Sequence, residues 1–475
     1  MGRLVIVSNR IPLGSNPSGG LVVALEDAMA RRGGLWVGVQ PEGEPIDGAT
    51  DAGEGVITLD GAPFDRAAVC MPDRLYDDYY LGYANSVLWP LCHGRTELID
   101  QQPRYRKAYE EVNRRLARSL AKMVEPDDLI WVHDYHHLPL AAALRAEGLQ
   151  NAIGFFLHIP FPTASNVFAL TGARDLVDWL SDYDLVGLQT RRDVASAMDV
   201  FRQFPESQFL MDGSIRFGSR MVEIKSFPIG IEVAGFREMA QRSEARLAPR
   251  SRKWIIGAER LDYSKGLPHR LRAFGKLLEQ EADLRGAVSL LQIASPTRED
   301  VTAYREIREE LEQLSGAVNG RYSDINYTPI QYLNRGIPRD QLAGLFAQAD
   351  VGLVTPLADG MNLVAKEYVA AQDPDDPGVL VLSSFAGAFE QLGETALIAN
   401  PYDPAQMARV IAEALLMPRE ERIARHRPML ARVEEEDVAW WSSSFIEALE
   451  AKRLGGDFLD LLGALPEGRA ASASA

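Results

Sequence analysis

Short apolar runs rich in Val and Ile alternate with amphipathic stretches along almost the whole chain, and that alternation leaves few folds open. "RLVIVSNR" (3–10), "DLIWVHD" (128–134), "IGFFLHIP" (153–160) and "LVGLQT" (185–190) are strand-like and apolar at successive positions. A strand apolar on both faces needs cover on both faces, which places it in a parallel sheet between helices. The stretches between them, such as "RYRKAYEEVNRRLARSLAKMV" (104–124) and "LPLAAALRAEGL" (138–149), have the helical period that parallel crossovers require. The alternation starts again after residue 240 with "KWIIGAER" (253–260), "VSLLQIA" (288–294), "ADVGLVTP" (349–356) and "GVLVLSSF" (378–385). Helical patterns at 302–318 and 338–349 fall between these runs.

A chain of 475 residues exceeds one ordinary core. The pattern predicts an α/β protein of two Rossmann-like, doubly wound domains at 1–233 and 234–440. The break falls in "FPIGIEVAGFREMAQRSEARLAPRSRK" (227–253), where a Pro-Gly strand end leads into a charged helix and a basic, Pro-containing link. Residues 441–475 are expected to finish a helix, "VAWWSSSFIEALEAKRL" (438–454), that returns to the first domain, followed by a polar tail, "PEGRAASASA".

Composition narrows the function. No run approaches the ~18–20 apolar residues of a membrane span, and the opening "MGRLVIVSNRIP" lacks the pattern of a secretory signal. Two cysteines, Cys70 and Cys92, provide neither a disulfide framework nor a metal site and fit a reducing, cytoplasmic setting. The net charge of −17, from 67 acids against 50 bases, disfavours nucleic acid and anionic membrane as partners. A small phosphorylated ligand stays open, provided Arg and Lys gather locally.

In open parallel sheets, ligands lie beyond the carboxyl ends of the strands, where helix N-termini attract anions. The distinctive residues follow strands here: "SNR" (8–10), "HDYHH" (133–137), "HIPFPT" (158–163), "ERLDYSKG" (259–266), "ASPTRED" (294–300) and "DGMN" (359–362). Gly19 and Gly20 precede a helical run and allow close backbone approach. Arg10, Arg260, Lys265 and Arg298 are four cations at strand ends of an acidic chain, suited to gripping phosphate. The spacing of "HDYHH" matches no familiar zinc set, and "DYD" (182–184) precedes its strand, which favours a turn over an ion site, so no metal is expected. There is no GxSxG elbow, Walker loop or GxGxxG.

"VSNRIP", "GGLVVAL", "YANSVLWPL", "IWVHDYHHLP", "GFFLHIPFPT", "ERLDYSKGLP" and "TPLADGMNLVAKEYVAAQ" together resemble the α,α-trehalose-phosphate synthases, retaining glycosyltransferases of the GT-B fold. The resemblance runs in order from about residue 3 to 440. It implies transfer of glucose from UDP-glucose to glucose 6-phosphate, with no cofactor. Arg10, Tyr80, Asp134 and Arg298 would then hold glucose 6-phosphate, and Trp89 and Ile159 would shape the acceptor pocket. Gly19, Gly20, Arg260 and Lys265 would face the donor diphosphate, and His158 the donor glucose. Asp359, Gly360, Met361 and Asn362 would meet the sugar, with Gly360 letting the backbone approach it. Leu363, Val364, Ala365 and Lys366 form the helix start behind the diphosphate, Glu367 would accept from the ribose, and Ile337 would lie by the base. The four residues taken as catalytic are His158, Arg260, Lys265 and Asp359.

Three departures from the family pattern, "VGVQPEG" (37–43), "PLCHGR" (90–95) and Ile337, keep other phosphorylated acceptors and ADP- or GDP-glucose open. A non-catalytic nucleotide-sugar sensor would have lost some of Arg260, Lys265, Asp359 and Glu367, and all four are present. No phosphatase-like DxDx[TV] segment follows residue 440, so a separate phosphatase is the expected consumer of the product. A homo-oligomer stays open.

Overall fold

Leu4, Val5, Ile6 and Val7 are all fully buried, as are Ile130, Trp131 and Val132, so these strands have no solvent face. The computed structural model describes residues 2–12, 22, 25–26, 28–29, 33–44, 46, 48–59, 64–249, 251–297 and 302–463, with side chains to 453. In chain order the first sheet contains β1 (Leu4–Val7), β2 (Gly34–Pro41), β3 (Thr50–Gly53), β4 (Val56–Leu59), β5 (Asp65–Met71), β6 (Leu129–His133), β7 (Ile153–Phe156), β8 (Leu185–Leu188), β9 (Ser207–Phe209), β10 (Ser214–Phe217) and β11 (Arg220–Ser226). Their spatial order is β3-β4-β5-β2-β1-β6-β7-β8-β11-β10-β9. The run from β5 to β11 is parallel, and antiparallel strands are added at each edge.

The second sheet is parallel throughout. It contains β12 (Lys253–Arg260), β13 (Val288–Ser295), β14 (Ile330–Leu333), β15 (Val351–Val354), β16 (Val379–Ser383) and β17 (Leu397–Ala399), in the order β14-β13-β12-β15-β16-β17. In both sheets the chain winds outward from a central strand, then returns and winds the other way. The switch points lie between β1 and β6 and between β12 and β15. This is the doubly wound α/β arrangement expected, occurring twice.

Alternate side chains of a strand serve different cores. Val5, Val7, Ile130 and Val132 enter a cluster confined largely to the first half of the chain. Leu4, Ile6, Trp131 and Phe156 enter another that also holds Trp254, Ile256, Leu380 and Leu382 of the second sheet. That shared core is completed by the helix Val438–Gly463, whose Trp441 and Phe445 are fully buried. Phe445 stacks on Trp131 with centroids 4.5 Å apart. It fits because β7 and β8 present glycine there: a Cβ on Gly154 or Gly187 would lie 2.7 Å from the ring. The last helix therefore returns to the first sheet, as the sequence implied, and helps join the two sheets through one apolar contact. No helix among the described residues is long and apolar enough to cross a membrane.

Candidate functional site at the facing switch points

Three non-glycine residues among those described have positive φ: Glu54, in the turn between β3 and β4, Asp134 (71°) and Asn362 (75°). Asp134 directly follows β6, and Asn362 lies in the loop after β15. Each of those strands is the first across its sheet's switch point, so the strained residues occupy equivalent places in the two halves. Such conformations cost about 1–3 kcal/mol each and gather where the surroundings enforce them for a purpose.

In the second half, several buried charges are paired. Asp262 caps the short turn Tyr263–Lys265 by accepting from the Ser264 N–H at 2.9 Å. Gly266, at φ 68°, then turns the chain where a Cβ would lie 2.5 Å from the Thr355 carbonyl. The turn leaves the Lys265 ammonium 2.5 Å from Asp359 Oδ2. Asn362 Nδ2 donates to the same oxygen at 3.0 Å and to Glu259 at 3.2 Å, while its Oδ1 caps the helix Leu363–Ala371 through the Ala365 N–H. Arg270 is wholly buried and donates to Glu259 at 2.8 Å and to Thr355 at 3.0 Å. With Ala365 served by the cap, helix geometry leaves the first-turn N–H groups of Leu363 and Val364 available for an anion.

The first half depends on rings, with few charges. Arg10 Nε donates to the Tyr76 hydroxyl at 3.3 Å and its guanidinium is half exposed, 3.6 Å from Glu44. Tyr80 stacks between Tyr76 and His136, at 5.6 and 5.7 Å. Tyr135 lies 5.7 Å from Trp89. Asp134 Oδ1 accepts from the His158 N–H at 3.3 Å. Burial holds His158 down at about 3 and His93 at about 4, so both imidazoles are neutral at neutral pH. His93 Nδ1 faces the Trp89 carbonyl at 2.8 Å. A carbonyl only accepts, so Nδ1 holds the proton and Nε2 is left as an acceptor.

The halves touch at the site. The Arg260 guanidinium lies 5.4 Å over the Trp89 ring, and Arg95 lies 5.2 Å over Tyr263. A Cβ on Gly360 would come within 2.2 Å of the His158 carbonyl oxygen. An unbroken series of side-chain contacts therefore runs from Arg10 through Tyr76, Tyr80, His136, Tyr135 and Trp89 to Arg260. Electrostatic influence reaches His93 from Lys265, Asp262 and Asp359.

Several expectations shift. Gly360 is glycine because the His158–Ile159 backbone occupies the place of its side chain, a reason internal to the fold. The Lys366 side chain is committed to the protein's own backbone. It is fully buried, donates to the Ile229 carbonyl at 2.6 Å, and burial lowers it to about 7 against the opposing charge of Glu436. Glu367 is not free: its buried carboxylate, pushed up by that burial, pairs with Arg339 at 3.3 Å. Ile159 and Met361 are buried, and Ile337 is half-buried against the shared core. The acids of "DYD" are tied to arginines, Asp182 to Arg220 at 2.7 Å and Asp184 to Arg145 at 2.9 Å. Gly19, Gly20 and Arg298 lie outside the described residues. Sequence reading missed Glu259 and Arg270. An arginine within the apolar helical face of "LPHRLRAFGKLL" was the available signal.

Two doubly wound sheets facing across a site at their strand ends define the GT-B class of α/β enzymes. The family model for glycosyltransferase family 20 matches residues 8–451, and the chain belongs to that family. It is a glycosyltransferase of the trehalose-6-phosphate synthase type. Trehalose-6-phosphate synthase of Sodalis glossinidius (strain morsitans) is 42% identical over 465 residues, covering 95% of this chain and 96% of its own. A UDP-forming α,α-trehalose-phosphate synthase from Burkholderia xenovorans, solved in complex with glucose-6-phosphate, superposes with a TM-score of 0.87 at 43% identity, covering 94% of this chain and 100% of that one. The E. coli structure bound with UDP-2-fluoro glucose gives 0.88 at 41% identity, covering 94% and 99%.

Proposed function

We propose that the enzyme transfers glucose from UDP-glucose to the anomeric hydroxyl of glucose 6-phosphate, giving α,α-trehalose 6-phosphate and UDP with retention. The observation that carries this reading is the Lys265–Asp359–Asn362 cluster, set at one switch point within contact of the other. In this reading the units are 1–233 for the acceptor, 234–440 for the nucleotide sugar, and 441–475 as the returning helix and tail. Without ligand, Lys265 is neutralised by Asp359. A diphosphate has more negative charge than one carboxylate, so it would draw Lys265 and Arg260 toward itself and leave Asp359 for a glucose hydroxyl. The Leu363 and Val364 N–H groups, with Ala365 behind them, would support the same diphosphate.

On the acceptor side Arg10, with Arg298, would hold the phosphate, while Tyr80 and Asp134 would take hydroxyls. Trp89 and Ile159 would wall the acceptor ring. His158, neutral, would lie against the donor glucose without adding charge, its ring nitrogens facing His133 at 3.1 Å and Gln189 at 3.5 Å. The transfer breaks the bond between the glucose anomeric carbon and the diphosphate oxygen, and forms one from that carbon to the acceptor oxygen on the same face. The acceptor's proton passes to the departing phosphate oxygen. Barrier lowering would come from stabilising the leaving negative charge and from orientation. Ile337 would border the base and Glu367, held by Arg339, the ribose.

A coupled assay of nucleotide release with UDP-, ADP- and GDP-glucose, each against glucose 6-phosphate and other sugar phosphates, tests the reading when the product is identified. The expected product is a non-reducing disaccharide phosphate from UDP-glucose. No disaccharide phosphate with any donor overturns it, and faster turnover with ADP- or GDP-glucose reassigns the base contact.

A further inference from the structure

The loop bearing Asp359 is laced to the segment that follows β16. Asp359 N–H donates to the Phe385 carbonyl at 3.2 Å, Gly387 N–H to Asp359 at 3.1 Å, and Ala388 N–H to Met361 at 2.7 Å. A Cβ on Gly387 would fall 1.8 Å from the Gly360 carbonyl oxygen, so the two strips of backbone lie in direct contact. The segment that follows β16 is therefore a strap bound along the Asp359 loop at three points.

The strap ends in the short helix Phe389–Leu392, and there it crosses to the other half of the molecule. The Glu390 carboxylate accepts from the backbone N–H groups of Arg191 and Arg192, both at 3.0 Å. These are the first two donors of the helix Arg191–Arg202, which no intrahelical carbonyl can reach. The cap of that helix is already in place: Thr190 Oγ1 accepts from the Asp193 N–H at 3.0 Å. Glu390 takes what the helix's own cap leaves over. In return, the Arg192 guanidinium reaches back to the Ser384 carbonyl at 3.0 Å. The same helix turn holds the acceptor-side loop, because Asp193 Oδ1 accepts from the Phe161 N–H at 3.0 Å, two residues beyond Ile159.

We propose that Glu390 and Arg192 are positioning residues, forming a clasp across the two halves that keeps the Asp359–Met361 loop in register with the His158–Phe161 loop. This rests on the reading above that the first of these loops receives the donor sugar. Neither residue has a substrate contact in that reading. They act by setting the distance between two loops that belong to different sheets. The clasp forms only when the halves are together, so it stabilises the assembled site and contributes little to binding a nucleotide in the second half alone. The carboxylate takes both N–H groups at once, which glutamine cannot: one of its two atoms is an NH2 that would face a donor.

The test compares the full-length chain with Glu390→Ala, Glu390→Gln and Arg192→Ala. Three quantities are read: affinity for UDP alone by calorimetry, steady-state kinetics with UDP-glucose and glucose 6-phosphate, and radius of gyration with UDP and glucose 6-phosphate both bound. Glu390→Ala should keep UDP affinity within about twofold while kcat/KM falls about tenfold or more, with Glu390→Gln and Arg192→Ala in between. The doubly liganded Glu390→Ala protein should also be less compact than wild type. Wild-type kinetics and compaction in Glu390→Ala overturn the clasp. So does a loss of UDP affinity equal to the loss of kcat/KM, because the strap would then be shaping the donor loop alone. If Glu390→Ala does not fold, the nearly isosteric Glu390→Gln decides by the same criteria. Wild type forming no disaccharide phosphate removes the functional reading, while UDP affinity and compaction still judge the clasp.

Discussion

The two halves of the candidate site are built differently. Around Asn362, charges are buried and matched: Lys265 with Asp359, Arg270 with Glu259, Arg339 with Glu367. Around Asp134, the surroundings are rings and neutral imidazoles, and the cation, Arg10, sits half exposed beside Tyr76. In the proposed reaction a diphosphate would replace Asp359 as the partner of Lys265, a cation already fixed beside the place where negative charge would develop. A half-exposed arginine on an aromatic wall would suit recognition of a phosphate that keeps its charge throughout. Under the proposed function, the first arrangement would serve the change during reaction and the second what stays constant.

The strongest way to break that contrast is Lys265→Ala. It should lower kcat by about 10²–10⁴-fold with the fold retained, because the lost cation acts where charge appears. Circular dichroism and UDP release would check both parts. A near-normal kcat would place the charge-stabilising role elsewhere. Arg10→Ala should act mainly on binding: KM for glucose 6-phosphate rises about 10–100-fold while kcat moves far less, the signature of an interaction shared by ground and transition states. A fall in kcat matching that for Lys265→Ala would erase the distinction between the halves.

Gly360→Ala sharpens the question of how closely the halves must meet. Its Cβ would press on the His158 carbonyl, so kcat/KM should fall about tenfold while UDP affinity in the second half changes less. Equal loss of both would mean that the donor loop itself had been distorted. A final test concerns stability and leaves the reaction aside: Lys366 is lowered by burial to about 7 from an ordinary value of 10.5. The unfolded chain then binds more protons between those values, so this lysine's penalty is full below pH 7 and is relieved as pH rises toward 10.5. Wild-type stability should gain up to about 1.4 kcal/mol per pH unit relative to Lys366→Met across pH 7–9, read from urea midpoints. Parallel curves for the two proteins would show that Lys366 keeps its ordinary basicity.

Much of the fold was legible because burial on both faces leaves a plain mark: "LVIV", "LIWVH" and "VLVLS" have no polar alternation and became central strands. The site was legible as a set of loops, since parallel topology sends strand ends to one edge. Individual roles were harder to read. Lys366 and Glu367 are adjacent letters in a motif, yet one reaches back to the Ile229 carbonyl and the other pairs with Arg339. Glu390 and Arg192 are separated by about two hundred residues, and nothing local marks either one.

The amino-acid order by itself determined two sheets with parallel centres, the helix that returns to the first, and which strand ends bear acids, glycines and cations, because those depend on periodicity and on neighbours a few residues away. Which charges neutralise each other, which glycine is demanded by a backbone from the other half, and which carboxylate caps a distant helix were decided only by the tertiary structure. Those relations depend on through-space distances of about 3 Å between segments far apart in the chain, at the scale of a hydrogen bond, and no local pattern encodes such a distance.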